Sequence, residues 1–157
     1  MLRNRSVPDI RLKRENWRQH IPENDAKHLV FLDESGINTD MTRRYARAKK
    51  DQRAVDSTPL NTPATTTILS SIRLDGSCIY TTYQGGTTAE RFEIYLESDL
   101  LPTLGPDDIV VMDNMRSHHA KVVKNLLDEK HIQYLYLPPY SPDYNPCLLY
   151  TSDAADE

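Results

Sequence analysis

The chain has 157 residues, of which 38% are hydrophobic, and it carries a formal net charge of −4 at pH 7. This length suits one domain with a packed core, and the charge argues against a protein that is basic throughout. No apolar run is long enough to cross a membrane, and the N-terminus lacks the apolar core of a secretory signal. Cys78 and Cys147 have no metal-ligand spacing, so we expect a reducing, cytoplasmic environment.

Positive charge is concentrated in two segments of the chain. Residues 3–18 contain Arg3, Arg5, Arg11, Lys13, Arg14 and Arg18, and residues 43–53 contain Arg43, Arg44, Arg47, Lys49, Lys50 and Arg53. Local basic clusters on a near-neutral chain are compatible with contacts to a polyanion, although a solvated surface is the alternative. Residues 1–26 are predicted to be a connector, with a short helix over 11–20.

The first strongly apolar segment is predicted to be a buried strand that ends in two acids. Residues 29–32 are Leu-Val-Phe-Leu, which is typical of a strand buried on both faces. They are followed by Asp33, Glu34 and a Ser-Gly pair that predicts a turn. Because a buried charge must be paired or bind a metal, acids at the exit of a central strand suggest a site. For one strand considered alone, acids solvated in a loop are the alternative.

The next segments predict more strands and a basic excursion between them. Residues 37–41 are predicted to form a short second strand, followed by a basic loop or hairpin over 42–53. Residues 65–74 and 78–83 are rich in β-forming residues, and Asp75-Gly76 between them predicts a tight hairpin turn.

The second half of the chain alternates predicted helices and strands. In chain order these are a helix that begins at Thr87 or Thr88 and ends at Pro102, a strand over 109–112, a helix from Ser117 or His118 to about Lys130, a strand over 133–137 and a proline-rich loop over 138–146. The whole order predicts a mixed α/β sheet, antiparallel at first and then parallel with right-handed crossovers. The strand over 109–112 stops at Asp113 and Asn114.

In such a sheet the strands that lead to Asp33 and Asp113 lie side by side and parallel, so that their carboxylates converge. Convergent carboxylates suit hard cations such as Mg²⁺, and two such ions can promote phosphodiester chemistry. Because side chains alternate along a strand, Glu34 is expected on the opposite face and in a supporting role. His118 is either a general base or a residue that helps to start the following helix.

Four segments occur in an order that resembles a known family. They are Phe-Leu-Asp-Glu-Ser-Gly at 31–36, Arg-Arg-Tyr-Ala-Arg-Ala at 43–48, Val-Val-Met-Asp-Asn with a following His at 110–118, and Leu-Pro-Pro-Tyr-Ser-Pro-Asp-Tyr-Asn-Pro at 137–146. Together they resemble the catalytic domain of IS630-type bacterial transposases, which are related to the Tc1/mariner group. The last segment is the most specific of the four.

The resemblance implies an RNase H-like fold and an enzyme that cleaves transposon ends and joins them to target DNA. It also implies two Mg²⁺ or Mn²⁺ ions held by two Asp residues and a Glu. Matched by position, Asp33 is the first acid and Asp113 the second, and the third is expected where this chain has Leu148. The expected supporting residues are Glu34, Asn114 and His118. The candidates for DNA contact are Arg43, Arg44, Arg47, Lys49 and Arg53.

The departure at Leu148 belongs to a tail that does not continue the family motif. We interpret residues 147–157 as a non-native segment translated from a sequencing adapter, and residues 1–26 as a connector from an absent DNA-binding region. Residues 27–146 are then expected to be a catalytic domain truncated at both ends. Without the third acid, we expect this chain to be inactive or nearly so.

The partners implied by the resemblance are transposon terminal inverted repeats and target DNA, with homodimer formation as an option. The implied location is the bacterial cytoplasm, and the nucleoid when DNA is bound. Two other functions stay open at this stage. One is a different RNase H-like nuclease, such as a ribonuclease or a junction resolvase, and the other is a non-catalytic DNA-binding or dimerising remnant.

Overall fold

The computed structural model describes residues 8–21, 25–39, 46–55, 57 and 64–148. Within these residues one mixed sheet contains β1 (Leu29–Asn38), β2 (Thr65–Ile72), β3 (Cys78–Gln84), β4 (Ile109–Met112) and β5 (Gln133–Tyr136). Across the sheet the order is β3-β2-β1-β4-β5. The first three strands are antiparallel neighbours, whereas β4 and β5 run parallel to β1. The predicted mixed sheet is confirmed.

β1 is longer than predicted, and it does not end at Asp33. It continues without a break to Asn38, so Asp33 and Glu34 lie inside the strand and residues 37 and 38 are part of it. The separate strand predicted over 37–41 is therefore wrong as far as residue 39, and its last two positions lie outside the described residues. The cause is unequal pairing, since β4 pairs with β1 only as far as Phe31 whereas β2 pairs through Asn38.

Three α-helices accompany the sheet in the described part of the chain: α1 (Pro8–His20), α2 (Ala89–Tyr95) and α3 (Lys121–Glu129). Thr88 caps α2, as predicted, by accepting a hydrogen bond from the Arg91 amide at 3.3 Å. A π-helical segment, Leu96–Leu100, continues α2 and keeps its apolar stripe buried. None of the helices among these residues has the length and apolar character needed to span a membrane.

α3 begins later than predicted, because the residues expected to cap it are used elsewhere. Its N-cap is Ala120, and Ser117 and His118 lie buried in the turn before it. His118 directs its imidazole back toward the backbone carbonyl and carboxylate of Asp113, so it does not cap the helix. The predicted helix start is therefore wrong by a few residues, and the cause is the site described below.

The alternation of side chains along β1 and β4 divides the core into two parts. One part packs against α2 and α3 and includes Val30, Leu32, Val110 and Met112. The other includes Leu29, Ile109 and Val111, and Trp17 of α1 packs against it. With a period of two residues, Asp33 belongs to the face covered by α1, and Glu34 belongs to the face covered by α2 and α3.

Candidate active site

Asp33 and Asp113 lie at neighbouring inner strands, just beyond the point where the pairing of these strands ends. Phe31 and Val111 form the last pair between β1 and β4; Asp33 lies two positions after Phe31, and Asp113 two positions after Val111. Burial raises the pKa of Asp33 to about 6, and repulsion from the Asp113 carboxylate contributes to the rise. Two carboxylates that repel each other at a half-buried position are an arrangement that a divalent cation relieves.

His118 lies buried between Asp113 and Glu34. Its Nδ1 is 2.8 Å from Asp113 Oδ1, and its Nε2 is 3.4 Å from Glu34 Oε1. Burial disfavours a charged imidazole, but attraction to the two carboxylates outweighs burial and raises the pKa of His118 to about 9. His118 is therefore charged at neutral pH, which leaves it no free nitrogen to act as a general base.

The charge on His118 also acts on Asp113. Burial favours a higher pKa for Asp113, but the hydrogen bond from His118 holds the pKa of this carboxyl below its usual value. The Met115 amide donates a further hydrogen bond to Asp113 Oδ1 at 3.0 Å. Asp113 is thus an oriented and ionised carboxylate, whereas the neighbouring Asp33 resists ionisation.

Glu34 reaches His118 from the side of the sheet covered by α2. The ring of Phe92, which belongs to α2, packs against the His118 ring with their centroids 4.3 Å apart. Glu34 Oε1 and His118 Nε2 are close enough for an ion pair, but neither atom makes a well-formed hydrogen bond within the described residues. Glu34 therefore approaches the site from the opposite face to Asp33 and contacts the imidazole.

Asn114 connects the turn after β4 to the residue that follows β5. Its Nδ2 donates a hydrogen bond to the carbonyl of Leu137, and its Oδ1 lies 3.2 Å from His119 Nε2. His119 in turn stacks on Tyr136, with ring centroids 4.1 Å apart. These contacts fix the turn that carries Asp113 and His118 against the end of β5.

The proline-rich loop brings position 148 to the side of the acids. Asn145 Oδ1 accepts a hydrogen bond from the Cys147 amide at 3.1 Å, which starts a helical turn at residues 146–148. Cys147 Sγ lies 3.8 Å from the carbonyl of Phe31, at the end of the β1–β4 pairing. Leu148 and Asp113 line the same cavity of about 300 Å³. Position 148 is therefore beside the acids, but a leucine side chain cannot bind a metal.

The donor set of the site fits one divalent cation better than two. Within the described residues, no group of three or more His, Cys, Asp and Glu side chains is arranged to hold a metal. Mg²⁺ is usually held by one or two carboxylates together with water and substrate phosphates, and Asp33 with Asp113 meets that requirement. A carboxylate for a second ion is missing at the place where Leu148 lies.

The predicted DNA-contact residues are described only in part. Arg47, Lys49 and Arg53 are exposed in a segment without helix or strand, residues 46–55. Arg43 and Arg44 lie outside the described residues. The role of the whole set in DNA contact stays a prediction.

Arg14 is a residue of the site's surroundings that the sequence argument missed. Its guanidinium donates hydrogen bonds to Ser141 Oγ at 2.6 Å, to Asp143 Oδ2 at 2.6 Å and to the Tyr140 carbonyl at 3.3 Å, and it lies 4.4 Å from the ring centroid of Tyr144. Arg14 thereby fastens α1 to the loop that carries position 148. A signal was present, because Arg14 shares the apolar stripe of α1 with Trp17, and a charge on such a stripe indicates a buried partner.

The mixed sheet with its flanking helices has the RNase H-like architecture. The family model for DDE superfamily endonucleases matches residues 28–154, which is most of the chain. The chain therefore belongs to the DDE superfamily endonucleases. The predicted family is confirmed at this level, and the IS630 type stays a prediction.

Solved structures of the Mos1 mariner transposase share this fold. The Mos1 strand transfer complex aligns with a TM-score of 0.77 and 22% identity, over 99% of this chain and 49% of the Mos1 chain. The Mos1 paired end complex with Mn gives 0.78 and 22%, over 99% and 50%. The Mos1 catalytic domain alone gives 0.59 and 19%, over 99% and 73%. This chain thus spans about half the length of the first two, and no curated protein matches it.

Proposed function

We propose that this chain is the catalytic core of an IS630-type DDE transposase, built for metal-dependent DNA cleavage and strand transfer. The observation that carries the proposal is that Asp33 and Asp113 lie at neighbouring strands and that Asp113 lines the same cavity as position 148. Membership of the DDE superfamily endonucleases supports the reaction class. The transposase reaction is proposed from the family and from the likeness to Mos1.

In the proposed site Asp33 and Asp113 hold a divalent cation, Mg²⁺ or Mn²⁺. A bound cation of this kind polarises the phosphodiester and lowers the pKa of an attacking water or hydroxyl. His118 donates to Asp113 and keeps that carboxylate ionised, and Glu34 lies within ion-pair distance of the imidazole on its other side. Residues that orient metal ligands in this way commonly affect metal affinity by about 10- to 100-fold. Mos1 complexes solved with Mn and with Mg support the choice of cation.

The proposed partners are DNA molecules, namely transposon ends and target DNA. The solved Mos1 complexes are described as paired-end and strand transfer complexes, which supports both this substrate class and action as a dimer. A bacterial cytoplasmic location, on the nucleoid when DNA is bound, is part of the same proposal. Arg47, Lys49 and Arg53 are proposed to contact the DNA backbone, because they are exposed and clustered.

The proposal predicts low activity for this chain because position 148 is a leucine, and a substitution there tests this. Leu148→Glu adds a carboxylate in the cavity that Asp113 lines, and Leu148→Gln is a control of the same size without charge. We expect Leu148→Glu to nick supercoiled plasmid DNA with Mn²⁺ and not with EDTA. The wild-type chain and Leu148→Gln should be slower by more than about tenfold, since even supporting residues of a metal site have effects of that size.

Further controls identify the acids and the substrate. Adding Asp33→Asn to Leu148→Glu should abolish both nicking and calorimetrically measured Mn²⁺ binding. Nicking that survives Asp33→Asn would contradict the proposed site. Faster cleavage of an RNA–DNA hybrid than of DNA would instead indicate another RNase H-like nuclease.

A non-catalytic DNA-binding remnant is the second candidate, and the apolar side chain at Leu148 favours it. Under this alternative, Leu148→Glu would stay inert with every divalent cation. The chain would still bind DNA, with an affinity that falls steeply as salt increases. Plasmid nicking and DNA binding measured on the same preparations distinguish the two candidates.

A further inference from the structure

A second cavity adjoins the acid cavity along α1. It measures about 490 Å³ and shares four lining residues with the acid cavity, namely Asn114, Leu137, Pro138 and Pro139. Because these residues border both cavities, the two cavities lie next to each other, and we call them together the groove. Asp113 lines the first cavity, and residues of α1 and of the start of the proline-rich loop line the second.

The α1 side of this groove carries groups that suit a nucleic acid strand. Lys13, Asn16, Trp17 and His20 line it, and they recur at helical spacing on one face of α1. No acidic side chain is among the described residues that line this second cavity. An ammonium, an amide and an imidazole can donate to phosphate oxygens, and an indole ring can stack on a base.

The ion pair between Lys13 and Asp9 does not block such a contact. Their charged atoms are 2.9 Å apart, but both side chains are more than half exposed. Exposed pairs at this helical spacing stabilise by only about 0.3–0.5 kcal/mol, so a phosphate can replace the carboxylate at little cost.

The wall formed by α1 is held in place before any ligand binds. Arg14 bonds α1 to Ser141 and Asp143 of the proline-rich loop, and Trp17 packs partly against the core beneath it. The groove is therefore preformed, which reduces the entropy lost on binding.

We propose that this groove is the path by which one DNA strand reaches the acid pair. Lys13 and His20 contact its phosphates, and Trp17 stacks on one of its bases. The volume of the second cavity falls within the range of about 300–1,000 Å³ for small-ligand pockets, which suits a nucleotide unit and not a double helix. The inference rests on the proposed function, since it names the route of that substrate, and it adds a contact surface separate from residues 46–55.

Trp17 is the only tryptophan of the chain, so its emission reports on the groove directly. The experiment titrates the full chain, in EDTA, with a DNA duplex that carries a single-stranded overhang of about 8 nucleotides. An end-labelled copy of this DNA gives total binding by anisotropy, and an unlabelled copy gives occupancy of the groove by quenching of Trp17. We expect both measurements to yield the same dissociation constant.

Substitution of Lys13 tests the phosphate contact, with Lys130 as a matched control. Lys130 follows α3 and precedes β5, so it lies at the opposite end of β5 from the groove. Lys13→Ala should weaken binding about fivefold and lower the slope of log affinity against log salt by about 1, as expected for one lost phosphate contact. Lys130→Ala should leave the slope unchanged.

The outcomes separate this inference from the function on which it rests. Binding seen by anisotropy without a change in Trp17 emission would overturn the groove as the path and leave DNA as the substrate. Equal salt slopes for Lys13→Ala and Lys130→Ala would overturn the assigned phosphate contact. No binding in either measurement would overturn both the groove and the proposed DNA partner.

Discussion

The two ends of the β1–β4 pair place their aspartates in opposite electrostatic surroundings. Just before β4, Asp108 is buried, and its Oδ2 accepts hydrogen bonds from Arg73 and from the Gly105 amide, each at 2.7 Å. The bond from Arg73 lowers the pKa of Asp108 to about 2. At the other end, burial raises the pKa of Asp33 to about 6, and its neighbour Asp113 is another acid.

This difference separates an end of the sheet where the aspartate supports the fold from an end where the aspartates match the proposed site. Asp108 has a cation and a backbone donor, so its negative charge strengthens the fold. Asp33 has a like charge beside it, so the same residue type weakens the fold at neutral pH. Perturbed acids of the second kind cluster at functional sites, because a ligand can supply the missing positive charge.

Removing the charge at the paired end should have the largest effect on stability. Asp108→Asn leaves the Arg73 guanidinium, which is 19% exposed, without its anion. Breaking such a pair typically costs several kcal/mol, and we expect the free energy of unfolding at pH 7 to fall by about 3 kcal/mol. Urea denaturation measures this change. Asp107→Asn at the exposed neighbouring position is the control, and an equal loss in both variants would contradict the contrast between the two ends.

The next largest effect is expected for His118. His118→Leu keeps an apolar side chain against Phe92 but leaves Glu34 and Asp113 without their cation. Because Asp113 is partly exposed, the expected loss in free energy of unfolding is about 2 kcal/mol at pH 7, below that for a fully buried pair. His119→Leu is the matched control on the exposed neighbour. Similar losses in both variants would show that packing, and not charge, is what His118 supplies.

Asp33→Asn should have the opposite sign and stabilise the chain at neutral pH. The pKa of Asp33 is raised from 3.8 to about 6, so the folded state binds more protons than the unfolded state between these values. The stability of the folded state therefore falls as the pH rises from 3.8 to about 6, and it stays lower by about 2 kcal/mol at pH 7, a value that allows for the partial exposure of Asp33. Denaturation across this pH range should show the wild-type decline and its absence in Asp33→Asn.

Acidification tests the other end of the pair with the opposite sign. The pKa of Asp108 is lowered from 3.8 to about 2, so the stability that it contributes is lost as the pH falls through that interval.

Mn²⁺ at neutral pH should raise the unfolding temperature of the wild-type chain and not that of Asp33→Asn. A rise in both would place the cation elsewhere.

The smallest expected effect concerns the connection between α1 and the loop. Arg14→Ala removes the bonds to Ser141 and to Asp143, whose side chain is 41% exposed, so the loss should be about 1 kcal/mol. Hydrogen exchange of residues 138–148 should become faster, whereas Arg11→Ala on the exposed side of α1 should change neither quantity. Unchanged exchange in Arg14→Ala would mean that the loop holds its shape without α1.

The sequence by itself determined the elements whose signals are local. The apolar residues 109–112, the Asp75-Gly76 turn and the Thr88 cap each depend on a few adjacent residues, and each lies where it was predicted. The order of these elements was enough to predict the mixed sheet and the convergence of Asp33 and Asp113. Local periodicity and turn chemistry act within one strand or helix, which is why a single sequence reveals them.

Only the tertiary structure decided how far β1 extends and what surrounds the acids. β1 continues through Asp33 because its antiparallel pairing with β2 extends to Asn38, whereas its parallel pairing with β4 ends at Phe31. The residues of β1 alone do not show how far each neighbouring strand extends. Asp113 and Glu34 together keep His118 charged, and Glu34 is far from His118 in the sequence. Arg14 likewise bonds a loop that lies 126 and more residues further on. Such contacts follow from three-dimensional packing, since no local pattern specifies which distant residues will meet.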